Sequence, residues 1–135
     1  VINKTKLELI SEELYPFANG IKEGIEMIMV GHLAAPALSN KKTIPASISK
    51  EIITDLLKGE MGFKGIVVSD ALNMKSVSDL FPEPGRLEWE AFDAGNDLLC
   101  FSENVKEGIE MILKNGSEEK SNGHFAKIKA VFRKP

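Results

Sequence analysis

Gly62-Phe63-Lys64-Gly65-Ile66-Val67-Val68-Ser69-Asp70 is the stretch on which the fold turns. Ile66, Val67 and Val68 are consecutive apolar β-branched residues between a glycine and a Ser-Asp exit. A short run of this kind, without period-two alternation, reads as a strand over 65–69 covered on both faces. Upstream, Ser49 can cap a helix over 50–58 that turns Ile52, Ile53, Leu56 and Leu57 inward, and Gly59 and Gly62 end it. Before that, 36–45 is rich in Asn, Lys, Ser and Thr and reads as a loop. Ile25-Glu26-Met27-Ile28-Met29-Val30-Gly31 is a second apolar run, too short for a helix with its flanks, and reads as a strand buried on both faces. Downstream, 71–85 is broken by Pro82, Pro84 and Gly85 and leaves room for one short helical turn. A helix over 86–94 then leads into Asp97-Leu98-Leu99-Cys100-Phe101, a third buried strand.

The outer segments are helical. Leu7, Ile10, Leu14, Phe17 and Ile21 recur at intervals of three and four, and Pro16 should kink or split that helix. Ser102 can cap a helix over 103–114 with Val105, Ile109, Ile112 and Leu113 on one face, stopped by Gly116. After a polar stretch over 118–123, a last helix carries Phe125, Ile128, Val131 and Phe132. Apolar strands alternating with amphipathic helices predict an α/β fold with a parallel sheet. Three strands are too few for a complete eight-stranded barrel, which takes roughly 250 residues. The pattern reads as part of a larger α/β unit, with no internal repeat and no second domain.

Composition narrows the function classes. In 135 residues there are 17 basic and 20 acidic side chains, a net charge of −3 that offers no basic surface for nucleic acid. One cysteine, Cys100, permits neither an intrachain disulfide nor a Cys/His zinc site. Met27, Met29, Met61 and Met111 fit core positions, and Trp89 fits packing. No apolar run approaches the roughly 20 residues of a membrane span. The chain starts at Val1 and not Met, so either something was removed or it is a piece of a longer polypeptide. Residues 1–6 lack the apolar core of a signal peptide and leave the compartment open between bacterial cytoplasm and cell envelope.

In α/β folds, ligands gather at the carboxyl ends of the strands. Those ends are Gly31-His32, Ser69-Asp70 and Phe101-Ser102. Asp70 either caps the following loop or faces a cleft. His32 either bonds a neighbouring carbonyl or donates to a substrate oxygen beside Asp70. Glu60, Glu83 and Glu88 could pair with Asp70 but fit solvated faces or loops. Phosphate-cradling glycine motifs and the Gly-x-Ser-x-Gly elbow are absent. Cys100, inside a strand, fits core packing and not nucleophilic catalysis. A phospho-acceptor receiver module would need an acidic pair after an earlier strand and a lysine after the last, and both are missing.

The strand exits resemble a known family. Gly62 to Met74 is similar to the nucleophile segment of glycoside hydrolase family 3, nearest the β-N-acetylglucosaminidase (β-N-acetylhexosaminidase) branch. Gly31-His32-Leu33-Ala34-Ala35-Pro36-Ala37-Leu38, Pro45-Ala46-Ser47 and Ala94-Gly95-Asn96-Asp97-Leu98-Leu99 resemble that branch in the same order. Ala71 stands where the β-glucosidase branch usually has a bulky aromatic residue.

The resemblance implies a (β/α)8 TIM barrel of which residues 1–135 supply about the last three βα units, with strands near 25–31, 65–69 and 97–101. It implies that Asp70 is the nucleophile of a retaining glycosidase and that His32 and Met74 border the sugar site. It implies a terminal β-linked N-acetylhexosamine of the cell-wall muropeptide type as substrate, and neither a cofactor nor a metal. The family's acid/base, a histidine on an Asp-Ser-His-like loop, has no counterpart here. Val1-Ile2-Asn3-Lys4 resembles the family's segment immediately after that loop, and His124 matches no such motif. The earlier strands with their Lys-His pair are also missing. The isolated chain is therefore expected to be inactive, and to need the missing barrel half or self-association through open sheet edges. A non-catalytic α/β binding or assembly module derived from the barrel is the alternative.

Overall fold

The structure, a computed structural model, describes residues 1–132. The fold is α/β with a small parallel sheet. Strands β1 (Met27–Val30) and β2 (Ile66–Ser69) pair in parallel, Met27 opposite Ile66 and Val30 opposite Ser69. The crossover between them is a wide-turned π-helix, Glu51–Glu60, whose winding shows in the Met61 N–H donating to the Leu56 carbonyl. Ser49 supports its start, its hydroxyl accepting from the Ile52 N–H at 3.4 Å. Ile28, Ile53, Leu57, Phe63, Val67 and Ala94 form the core between this helix and the sheet. Gly65 leads into β2 where a Cβ would lie 2.4 Å from the Glu26 carbonyl oxygen and 2.6 Å from the Phe63 ring, so only glycine fits.

The third strand expected over 97–101 is reduced to one bridge, Leu98 beside Val68. The cause is local. The Asp97 carboxylate accepts from the Val67 N–H at 2.9 Å, and the Ser69 hydroxyl accepts from the Cys100 N–H at 3.0 Å. Side chains occupy positions that a ladder would give to backbone groups. The segment still runs beside β2, with the Ser69 N–H on the Leu98 carbonyl and the Leu72 N–H on the Cys100 carbonyl.

The expectation that β1 is covered on both faces fails on one side. Ile28 is buried, whereas Met27 and Met29 are exposed, Met29 by 61%, so neither methionine is a core residue here. Helices cover only the Ile28 face, and no other described strand pairs with β1. Met61 and Met111 are half-buried.

At the N-terminus, α1 (Lys6–Glu8) opens with a capping box in which the Thr5 hydroxyl accepts from the Glu8 N–H and the Glu8 carboxylate from the Thr5 N–H. It runs into a π-turn, Leu9–Glu13, and α2 (Tyr15–Lys22) restarts with Pro16 in its first turn, the split that proline predicts. The buried residue is Leu9. Leu7, Ile10 and Phe17 of the expected stripe are exposed, because the π-turn shifts the phase and nothing described covers that side.

Beyond β2, α3 (Lys75–Ser78) is the short turn expected in the loop, and α4 (Arg86–Ala94) matches its expected bounds. Leu72, Val77, Leu87 and Ala91 close a second core cluster. Gly85 enters α4 with φ of +82°, and its missing Cβ lets the backbone at Glu107 approach, where a side chain would meet it at 2.5 Å. Helix α5 (Val105–Asn115) ends at Gly116, but its N-cap is Asn104, since the Ser102 hydroxyl is engaged by Glu88. Val105, Ile109 and Leu113 on the expected inner face of α5 are exposed. Helix α6 (Glu118–Phe132) starts earlier than the sequence suggests, absorbing the polar stretch. It leaves Phe125 exposed, and the side chains of Val131 and Phe132 lie outside the described residues.

One surface pair gives a pH-dependent term. Lys42 lies 2.6 Å from Glu51, and that hydrogen bond, ahead of a backbone bond at Glu51 and the Ser49 hydroxyl, lowers the Glu51 carboxyl to about 2. A carboxyl lowered in the folded state stabilises above its unfolded value, near 4.5, and loses that contribution as pH falls toward 2. With Lys42 more than half exposed, solvent screening holds the term to about 1 kcal/mol or less. Glu51→Gln should therefore lower the urea midpoint at pH 7 and match the parent near pH 2.

Candidate active site

Asp70 leaves β2 at the sheet's carboxyl rim and is half-buried. Its N–H donates to the Val30 carbonyl at 3.0 Å, which ties the exit of β2 to that of β1. Its Oδ1 accepts from the Ala71 N–H at 2.8 Å. Its Oδ2 takes no hydrogen bond from the described residues and faces Gly31, where even a Cβ would stand 3.9 Å away. One carboxylate oxygen is thus fixed and the other is open, next to a residue without a side chain.

His32 follows Gly31 and reaches the same place. Its Nε2 lies 2.8 Å from the Ala71 carbonyl oxygen and its Nδ1 2.7 Å from the Ser47 hydroxyl. Met74 is exposed at the start of α3, and its N–H donates to the same Ala71 carbonyl at 3.1 Å. The structure thus brings Asp70, His32 and Met74 together around Ala71.

Two residues behind this group escaped the sequence reading. Ser47 is fully buried, and its carbonyl accepts from the Asn96 amide at 2.8 Å. Asn96 is also fully buried, its amide shared with the Ala91 carbonyl. Both lie in segments that resemble the family, but only the tertiary contact shows what they do.

The other candidates lie elsewhere. Glu60 is exposed and pairs with Lys6, and Glu83 is exposed. Glu88, expected on a solvated face, is buried. Its Oε1 accepts from the Ser102 hydroxyl at 2.6 Å and the Asn104 N–H at 3.2 Å, fastening the segment after Phe101 to α4. Cys100 is half-buried. His124 lies on α6 with its Nδ1 on the Asp97 carboxylate and its ring 4.6 Å from that of Phe92. Asp97 also binds the Val67 N–H, three residues before Asp70 and so about 10 Å back along the strand. His124 therefore belongs to the opposite rim.

Residues 1–131 match the family model for the glycosyl hydrolase family 3 N terminal domain. The chain belongs to glycosyl hydrolase family 3. Among the proteins it is similar to, Beta-hexosaminidase A of Pseudoalteromonas piscicida is 40% identical over 97 residues, 64% of this chain and 16% of that protein. Beta-hexosaminidase of Stenotrophomonas maltophilia is 35% identical over 107 residues, 78% of this chain and 31% of that protein. A family 3 β-N-acetylglucosaminidase from Paenibacillus superposes with a TM-score of 0.86 at 30% identity, covering 95% of this chain and 26% of its own. The chain thus spans less than a third of the length of each of these relatives.

Proposed function

We propose that this chain carries the nucleophile of a retaining, exo-acting β-N-acetylglucosaminidase and forms about the last three βα units of its (β/α)8 barrel. The observation that supports this reading best is Asp70 itself. A carboxylate at a strand's carboxyl end, with Oδ1 anchored and Oδ2 unengaged beside Gly31, suits in-line attack on an anomeric carbon. Attack by Oδ2 forms a C–O bond to the sugar as the aglycone leaves. Water then displaces Asp70 and restores the carboxylate. Membership of a glycoside hydrolase family and the hexosaminidases among its relatives favour a terminal β-linked N-acetylhexosamine, as in cell-wall muropeptides, with His32 and Met74 bordering the sugar.

The second group of the mechanism, a histidine acid/base, is supplied by a part of the barrel outside this sequence. The exposed faces of Met27 and Met29 suit burial against that part, or against another copy through the open edge of β1. A retaining enzyme lacking its acid/base protonates no leaving group, so the isolated chain should release N-acetylglucosamine from its β-linked disaccharide, whose sugar leaving group needs that proton, no faster than buffer does. Release that disappears in Asp70→Asn would show that the chain is catalytically complete, contrary to this reading.

A further inference from the structure

We propose that His32, at the border of the sugar site, is a positioning residue that acts on Asp70 through the Ala71 backbone and not through a hydrogen bond to the sugar. The proposal rests on the reading of Asp70 as nucleophile. Ala71 is gripped at both of its polar groups. Its N–H donates to Asp70 Oδ1, and its carbonyl accepts from His32 Nε2 and from the Met74 N–H. Displacing that carbonyl would rotate the peptide after Ala71, shift the Ala71 backbone whose N–H fixes Oδ1, and open the turn that presents Met74.

The donor at Nε2 is set by the chemistry of its partner. A carbonyl oxygen only accepts, so Nε2 carries the proton, and the bare Nδ1 of the neutral ring accepts from the Ser47 hydroxyl. Ser47 is held in turn, because it is fully buried in the 3-10 turn Ala46–Ile48 and its carbonyl takes the Asn96 amide. Asn96 precedes Asp97, so the wiring runs from the third strand segment through Ser47 and the His32 ring to the residue beside Asp70. Both ring nitrogens are engaged within the protein, which leaves no ring donor for a sugar hydroxyl. A bystander histidine would need neither a buried serine behind it nor the carbonyl adjacent to Asp70.

The test uses the full chain without any sugar. A long-range proton–nitrogen spectrum of the histidine rings near pH 7.5 should show His32 protonated at Nε2 and bare at Nδ1. His124, whose Nδ1 faces the Asp97 carboxylate, is the other ring in the same spectrum, and His32→Gln assigns the signals. A proton on Nδ1 of His32 with a bare Nε2 would overturn the proposal. His32→Ala should speed amide exchange at Met74 roughly tenfold and shift the resonances of 70–74, since the carbonyl that the Met74 N–H bonds loses the ring that anchors it. His32→Gln, whose amide can still donate to Ala71, should restore both. Exchange at Met74 unchanged in His32→Ala would also overturn the proposal. If His32→Ala fails to fold, the ring spectrum of the unmodified chain decides alone. None of these readouts involves glycoside chemistry, so a failure of Asp70 as nucleophile would leave them unchanged and be recognised separately.

Discussion

In this chain joined to the strands that complete the barrel, Asp70→Asn lowers kcat for an aryl N-acetylglucosaminide by about four orders of magnitude. The argument is one of bonding. The carboxamide keeps the shape of the carboxylate, and its oxygen can still accept the Ala71 N–H that fixes Oδ1. What it loses is the charged oxygen that bonds to the anomeric carbon, an interaction made only on the way to the transition state. KM should therefore change far less than kcat. The unfolding free energy from urea titration should stay within about 0.5 kcal/mol of the parent, as for a substitution that removes no packing. A rise in KM with kcat unchanged would instead indicate that Asp70 only binds the sugar.

The largest effect on stability is expected at Asp97. Its side chain is fully buried and accepts from the Val67 N–H, from Lys58 at 3.3 Å and from His124. Asp97→Ala strips that acceptor from a buried backbone donor and two cationic or protonatable side chains at once. Removing one partner of a buried ion pair costs about 3–5 kcal/mol. Domains of this size hold only about 5–15 kcal/mol in total. Urea titration should show much of the chain's stability gone, and the bridge of Leu98 to Val68 should lose amide protection. Asp97→Asn keeps an oxygen for Val67 and should lose less. Equal, small losses in both would contradict the role assigned to the carboxylate.

Asp70 and the strand before it were legible because local sequence suffices there. Three β-branched residues in a row need cover on both faces, and a charge one serine beyond them lies at the rim. Helix α4 was legible for a similar reason, with Gly85 and Gly95 bounding it in left-handed conformations. Where the sequence reading went astray, the deciding atoms lie far along the chain. The third strand fades because Asp97 and Ser69 bond with side-chain oxygens, and propensity cannot reveal that Val67 will take one of them. Ser102 fits a helix cap by spacing, yet the buried Glu88 claims its hydroxyl. Met27 and Met29 fit a covered strand, and the described chain leaves them bare. The same distance hid Ser47 and Asn96, since the His32 ring reaches 15 residues forward to Ser47 and 39 to Ala71.

The central claim is that Asp70 forms the bond to the sugar. The most direct measurement is mass spectrometry on the completed barrel after reaction with a fluorinated N-acetylglucosaminyl fluoride, whose leaving group needs no acid and whose covalent intermediate turns over slowly. The expected result is one glycosyl unit on the peptide carrying Asp70, and none in Asp70→Asn. A glycosyl unit on any other residue, or turnover that persists in Asp70→Asn, would contradict it.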